Sequence, residues 1–284
     1  MNKITFKQNR TVDASRLPSP VIWSDCPWHE IMDRQVNGVA FYDDFQDFPL
    51  AGTQTTQIGH GRYKVFNTGA AKITRVSTIN SVEIGGAALE TALDTDNDSG
   101  SIGHSYPQYL LSGLNSNSGK LWFECCYGQN SIVTNFASVF MGLAEVDQFT
   151  FATAVPLNGG DAITNGGSIL GFRIAEDGLG VIDTVVSDRA TSFTNIGAGE
   201  GGTLAAYTFK KLGLVYDPTG PAARRIVFYA DNLELTTPYS HASLIATTNL
   251  DANALGLIFS ACADSAGTTY TGWMKWWRVA QLLP

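Results

Sequence analysis

Short apolar runs, each bounded by Gly, Asn, Asp or Ser, recur along most of this 284-residue chain. Several alternate apolar and polar positions with a period of two, the pattern of strands that bury one face. In 120–127, Leu121, Phe123 and Cys125 share one face while Trp122, Glu124 and Cys126 share the other. Further on, Leu212, Leu214 and Tyr216 oppose Gly213 and Val215. In the strand after that, Ile226 and Phe228 oppose Val227 and Tyr229, so both of its faces are apolar and both are expected to be covered. The pattern predicts strands over 62–67, 72–79, 82–93, 108–111, 120–127, 137–146, 168–175, 179–187, 204–217, 224–232, 242–247, 254–261 and 270–282. Glu176-Asp177-Gly178 is read as the turn of a hairpin between 168–175 and 179–187. Long helical periods and fixed-period repeats are absent, which argues against a solenoid or propeller. Strands of this number and patterning predict an all-β fold of two stacked antiparallel sheets.

Residues 1–38 break the pattern. They carry Pro18, Pro20 and Pro27, two tryptophans (Trp23 and Trp28), five basic and four acidic residues, and no sustained period. A segment of this kind is either disordered or packs elsewhere, and its tryptophans favour packing. The division is therefore an arm over 1–38, docking on its own domain or on a neighbouring subunit, and one β domain over 39–284. Within the arm, 28–35 is expected to form a short helix. The domain opens at Phe41-Tyr42-Asp43-Asp44-Phe45.

Composition narrows the function classes. Only 15% of residues are charged, against about 25% in ordinary globular proteins, while 29 residues are glycine. The net charge is −8 and Lys and Arg never cluster in runs longer than two, so no electrostatic footprint for nucleic acid is present. No apolar stretch reaches 18 residues, and no apolar segment follows the basic Met1–Lys7 start, so neither a membrane span nor a signal peptide is expected. Cys125 and Cys126 are adjacent in a strand and point to opposite faces. With Cys26 and Cys262 they are read as small apolar residues of a reducing cytoplasm, not as a metal or redox set.

The sequence from Lys210 to Asn232 carries a family resemblance. Lys211-Leu212-Gly213-Leu214-Val215-Tyr216-Asp217, then Arg225-Ile226-Val227-Phe228-Tyr229-Ala230-Asp231-Asn232, then a closing Trp273-Met274-Lys275-Trp276-Trp277-Arg278-Val279 strand, resemble the concanavalin A/laminin G jelly roll. Asn232 stands where many members have Gly, and Asn tolerates the left-handed conformation that the turn requires. The motifs cover roughly 205–282, and Asp43-Asp44-Phe45 and Leu121-Trp122-Phe123-Glu124 are similar to earlier strands of that fold. The resemblance implies a two-sheet antiparallel jelly-roll sandwich behind an irregular arm.

That fold hosts lectins, glycanases and virion proteins, so function has to be argued from sites. Jelly-roll glycanases align Glu-x-Asp-x-x-Glu on one strand, and Glu145-Val146-Asp147 supplies only the first two carboxylates. Retaining hydrolysis needs a second carboxyl partner about 5–5.5 Å away, so the chain is not expected to be an enzyme. Asp94, Asp96 and Asp98 resemble the start of a calcium loop, but Ser99 and Ser105 replace its Gly and its bidentate Glu. A polar turn is the preferred reading there, with calcium as the candidate cofactor and no other expected. His29, His60, His104 and His241 show no triad or zinc spacing, and Gly159-Gly160, Gly166-Gly167 and Gly197–Gly199 lack the Lys-Ser/Thr and helix of a phosphate loop. Trp273 and Trp277 on one strand face, opposite Trp276, would stack sugars only if that face were not core.

A jelly roll with low charge, an arm and no complete catalytic set resembles the capsid-decorating and appendage proteins of tailed bacteriophages. The runs Leu121–Glu124 and Phe140–Ala144 look like virion jelly rolls of this kind. The resemblance implies a structural virion protein, made in the host cytoplasm, that decorates the outer capsid. It would bind the major capsid protein or other virion proteins and form a homo-oligomer, with a trimer favoured. Trp23 and Trp28 would be the arm's partner-binding anchors. The alternative is a carbohydrate-binding module contacting glycans, on a virion or free.

Overall fold

The computed structural model describes residues 16–34, 37–45, 58–60, 63–67, 71–75, 78–79, 82–83, 86–91, 99–104, 109–110, 119–133, 137–145, 168–175, 179–187, 194–221, 224–235, 254–263 and 270–283. Two short helices, α1 (Pro20–Trp23) and α2 (Trp28–Arg34), precede the strands. The strands are β1 (Gly38–Asp43), β2 (Ile58–His60), β3 (Tyr63–Asn67), β4 (Lys72–Arg75), β5 (Thr78–Ile79), β6 (Val82–Glu83), β7 (Ala87–Thr91), β8 (Ser99–His104), β9 (Tyr109–Leu110) and β10 (Leu121–Gln129). They continue with β11 (Ala137–Glu145), β12 (Ile169–Ile174), β13 (Val181–Ser187), β14 (Thr194–Thr203), β15 (Phe209–Tyr216), β16 (Ile226–Ala230), β17 (Leu233–Glu234), β18 (Ala254–Ala263) and β19 (Tyr270–Leu282).

Sheet A runs β17-β16-β15-β10-β19-β7-β4, with β1 also pairing β19, and sheet B runs β14-β13-β12-β11-β18-β8-β3-β2, with β9 also pairing β18. Every described pairing in the two sheets is antiparallel. The inward residues of both sheets interlock as one core: Leu121, Phe123, Cys125 and Tyr127 of β10 meet Val139, Met141 and Leu143 of β11, Phe172 of β12 and Phe259 of β18. The fold is thus the two-sheet antiparallel sandwich that the alternation predicts. Of the arm, residues 16–34 are described and are irregular apart from the two helices, and the short helix expected over 28–35 is α2, Trp28–Arg34.

The 212–232 hairpin forms as read. Leu212, Leu214, Tyr216, Ile226 and Phe228 face the core. Asp231 and Asn232 both sit in the left-handed region (φ 48° and 71°), the geometry of a tight hairpin turn between β16 and β17.

Three expectations need correction. β8 and β14 were not foreseen, because Ser99–His104 and the glycine-rich Thr194–Thr203 carry turn-forming residues. Pairing with neighbouring strands overrides that local preference: β8 lies between β18 and β3, and β14 pairs with β13 along one edge. The strand expected over 204–217 begins only at Phe209, since 204–208 is a turn in which Tyr207 takes φ 60°. The faces of the last strand also differ from strict alternation. A bulge at Cys126/Tyr127 places Lys275 between the pairs Tyr127↔Met274 and Cys126↔Trp276. Met274 and Trp277 therefore face the core, and Trp273, opposite the outward Gly128, shares the outer face with Trp276. The strand expected over 242–247 and the Asp177-Gly178 turn lie outside the described residues.

Candidate functional sites

On the outer face of sheet A the arm is seated over a buried carboxylate and a guanidinium. Alternation along β10 turns Glu124 away from the core, and β19 places Arg278 directly across from it. The Ser19 backbone N–H donates to both Glu124 carboxylate oxygens (3.1 and 3.0 Å), and the Trp23 indole N–H donates to one of them (2.7 Å). Arg278 lies against the faces of three rings, 5.3 Å from Trp23, 4.7 Å from Trp28 and 4.9 Å from Tyr42. The two indoles also meet edge to face at 5.3 Å.

Around this centre the arm is tied by further polar contacts. Asp25 accepts from Lys120 Nζ (2.5 Å) and from the Trp122 indole (2.9 Å), Val21 N–H donates to Asn232 (3.1 Å), and Lys211 Nζ donates to the Leu17 carbonyl (3.4 Å). Ile22 and Ile31 fill the remaining space against Trp122, Tyr229 and Ala280, forming an apolar cluster separate from the core between the sheets.

Burial dominates the ionisation of this site. It pushes the Glu124 carboxyl above the usual range, against the lowering effect of the bonds from Ser19 and Trp23 and of the Lys211 charge. Burial likewise lowers Arg278, although Tyr42, Glu124 and Cys26 work the other way. The half-buried Cys26 thiol is pushed up to about 12, first by burial and then by the Asp25 charge. Asp25 goes down: burial raises it, but the bonds from Lys120 and Trp122, the Lys120 charge and a backbone bond lower it further.

The outer face of sheet B carries a transverse polar row. Cross-strand register sets Asp183 of β13 beside Arg173 of β12, Arg173 beside Phe140 of β11, Phe140 beside Ser260 of β18, and Ser260 beside Ser101 of β8. Arg173 Nε donates to Asp183 at 3.1 Å with both side chains buried. The second Asp183 oxygen accepts from Gly199 N–H (2.7 Å), delivered by a bulge in β14 where Gly199 takes φ 69°. Next to the row, Gly142 and Gly171 pass so closely that a Cβ on Gly142 would lie 2.4 Å from the Leu170 carbonyl and 2.7 Å from the Gly171 Cα. Phe140, Ala144, Ile169, Val185 and Ile258 form a buried apolar cluster on this face. Glu200, in the same bulge region, has both carboxylate oxygens buried with no hydrogen-bond partner among the described residues, and burial raises its carboxyl.

The residues singled out in the sequence are placed as follows. Trp23 and Trp28 come together, on the chain's own sheet A. Glu145 ends β11 and closes the strand end, its carboxylate accepting from Ser168 N–H at 2.9 Å. Asp147, Asp94, Asp96, Asp98 and His241 lie outside the described residues, and Ser99, the sixth position of the supposed calcium loop, is the first residue of β8. Among the described residues no group of three or more His, Cys, Asp or Glu converges as metal ligands do. His104 is buried against Phe41 (4.5 Å between rings), whereas His29 is exposed on α2. Trp273 is 6% exposed beneath Tyr207 and Phe209, and Trp276 and Trp277 are buried, so these rings pack within the protein. Glu124, Arg278, Arg173 and Asp183 were not foreseen. The available signal was a charge enclosed by apolar neighbours, as in Trp122-Phe123-Glu124-Cys125-Cys126 and Trp276-Trp277-Arg278-Val279.

No family profile matches the chain, and no curated protein matches it in sequence. Solved structures do match in shape. Endo-β-1,4-glucuronan lyase from the fungus Trichoderma reesei is 12% identical with a TM-score of 0.53, over 86% of this chain and 95% of its own. Peanut lectin, solved with a nine-residue peptide, is 15% identical with a TM-score of 0.50, over 87% and 98%. A protein of unknown function from Shewanella oneidensis MR-1 is 12% identical with a TM-score of 0.50, over 90% and 94%. A lectin and a lyase share this architecture at such low identity, so the likeness speaks to fold alone: the chain is a concanavalin A-like jelly-roll sandwich.

Proposed function

We propose that this chain is a non-enzymatic structural protein of a tailed-bacteriophage particle, a jelly-roll module that decorates the outer capsid. The observation that carries the non-enzymatic half is the engagement of Glu145. Its carboxylate accepts from Ser168 N–H and ties the β11–β12 strand end, a structural use of the first residue of the incomplete acid pattern. The virion half rests on the low charge, the arm and the pattern resemblance of 121–124 and 140–144. In this role the protein assembles as a homo-oligomer, with a trimer favoured, binds major capsid protein or other virion proteins, and contacts neither nucleic acid nor membrane.

The test uses the phage or prophage whose genome carries this gene. Particles made without the gene should lack one surface density in electron microscopy, lose heads more readily on heating, and regain both properties when the purified protein is added back. Heads of unchanged appearance and heat resistance, with no uptake of added protein, would sink the proposal. Turnover of glucuronan or a β-glucan by the purified chain would sink its non-enzymatic half.

A second reading is glycan binding, favoured by the architecture shared with a lectin and a polysaccharide lyase. The row Asp183, Arg173, Phe140, Ser260 and Ser101 is buried, so a sugar would be held elsewhere on the protein. A glycan array separates the readings: a blank array removes this one.

A further inference from the structure

We infer that Arg278 and the rings around it form a carboxylate-binding site, completed by the seated arm, that takes an acidic side chain of a partner protein. The site stands on the geometry of sheet A and does not depend on the virion reading.

The guanidinium has no acceptor within the protein. Its Nε is buried without a hydrogen-bond partner, and among the described residues no oxygen accepts from its Nη groups. The carboxylate across from it is already engaged. Both Glu124 oxygens accept from Ser19 N–H, and one accepts from the Trp23 indole as well. Glu124 therefore acts on Arg278 only as a nearby charge, and burial still weighs most on the guanidinium. A charge taken this far from water is ordinarily paired and hydrogen-bonded. Arg278 stays half-buried, so its Nη end is open to an acceptor from outside.

The rings preorganise that end. Trp23, Trp28 and Tyr42 lie 5.3, 4.7 and 4.9 Å from the guanidinium, and each is half-buried. Such contacts fix the plane of the fork and displace water that would screen an ion pair. Two of the three rings belong to the arm, so arm seating builds the site while also consuming the acceptors of Glu124.

The shape of the site selects its ligand. A guanidinium carries one charge on a planar fork, matching the single charge and two oxygens of a carboxylate. Beside it the surface is apolar: Met32 is 48% exposed and lies one helical turn from Trp28 on the same face of α2. A thioether beside an indole suits an aliphatic side chain neighbouring the acid, which a peptide supplies and an acidic sugar does not.

The test titrates the 15N-labelled full-length protein with a capped dipeptide, Leu-Glu, and with its neutral counterpart, Leu-Gln. Proton–nitrogen NMR follows the Arg278 Nε–H and the Trp23 and Trp28 indole N–H signals. A saturable shift of these signals with Leu-Glu, absent with Leu-Gln, is expected. No shift with Leu-Glu, or the same shift with both dipeptides, would overturn the inference. Arg278→Lys keeps the charge but loses the fork and should abolish saturation, with amide exchange showing whether the arm remains seated. Undiminished Leu-Glu binding by that variant would refute the assignment to Arg278. If the variant unseats the arm, the comparison of the two dipeptides on the natural chain still decides. Glucuronate presents the same carboxylate on a sugar, and tighter binding of glucuronate than of Leu-Glu would refute the peptide ligand.

Discussion

Replacing Trp23 with Phe probes the arm dock at its most informative atom. The substitution keeps a ring near Arg278 but removes the indole N–H that donates to Glu124 at 2.7 Å. Glu124 is fully buried, so the carboxylate oxygen that loses this donor gains no water in the docked state. A hydrogen bond to a charged acceptor is worth about 1.5–3 kcal/mol. Trp23 itself is half-buried, so the lower part of that range applies, and about 2 kcal/mol corresponds to roughly a 30-fold change in the docked-to-undocked ratio. Amide exchange measured by mass spectrometry reads this ratio directly when opening is local. Peptides spanning 16–34 should exchange ~30-fold faster in Trp23→Phe, while β10 and β19 peptides keep their protection. Trp28→Phe, which meets Arg278 through its ring face, should change arm exchange several-fold less. Equal effects of the two substitutions, or unchanged arm exchange in Trp23→Phe, would refute the assignment of the Glu124 bond as the main tie.

Other outcomes follow from the same geometry. Because burial raises the Glu124 carboxyl, its contribution to docking is fully present below its undocked pKa and is lost as pH rises through the docked value. Arm exchange, corrected for intrinsic rate, should therefore slow as pH falls from neutral toward the ordinary glutamate range, and Glu124→Gln should flatten the profile. Asp183→Ala leaves buried Arg173 without its carboxylate and should cost about 3–5 kcal/mol in urea unfolding, whereas a combined apolar replacement of both residues should cost much less. Gly142→Ala must push a methyl group into the Leu170 carbonyl and the Gly171 backbone, and a drop in melting temperature of several degrees is expected in a thermal scan.

The strands that build the core were legible because their alternation and their burial agree. Leu121, Phe123 and Cys125 are inward and Trp122, Glu124 and Cys126 outward, as period two requires. What escaped was set by partners distant in sequence. Ser99–His104 and Thr194–Thr203 have the composition of loops and become strands through their pairing. The Arg173–Asp183 pair depends on hairpin register. A three-residue loop over 176–178 would set Arg173 against Val181, but the observed connection also takes in left-handed Leu179 and Gly180, sliding Asp183 into place. The tryptophans of the N-terminal segment signalled packing, and Trp23 and Trp28 do pack on sheet A. Their seat was not legible, since Glu124 and Arg278 lie about 100 and 250 residues downstream and nothing local links them to Trp23.

Cys26 turns the dock into something that can be read without a label. Cys125, Cys126 and Cys262 are buried in the sandwich, whereas Cys26 rides on the arm with its thiol held near 12 by the docked surroundings. An arm set free returns that thiol to an ordinary pKa of about 8.5, which raises its thiolate fraction at pH 8 by about three orders of magnitude. Reaction of the native chain with a coloured disulfide reagent would then have a rate set by arm release. The natural sequence thus supplies its own kinetic gauge for every substitution and pH condition above.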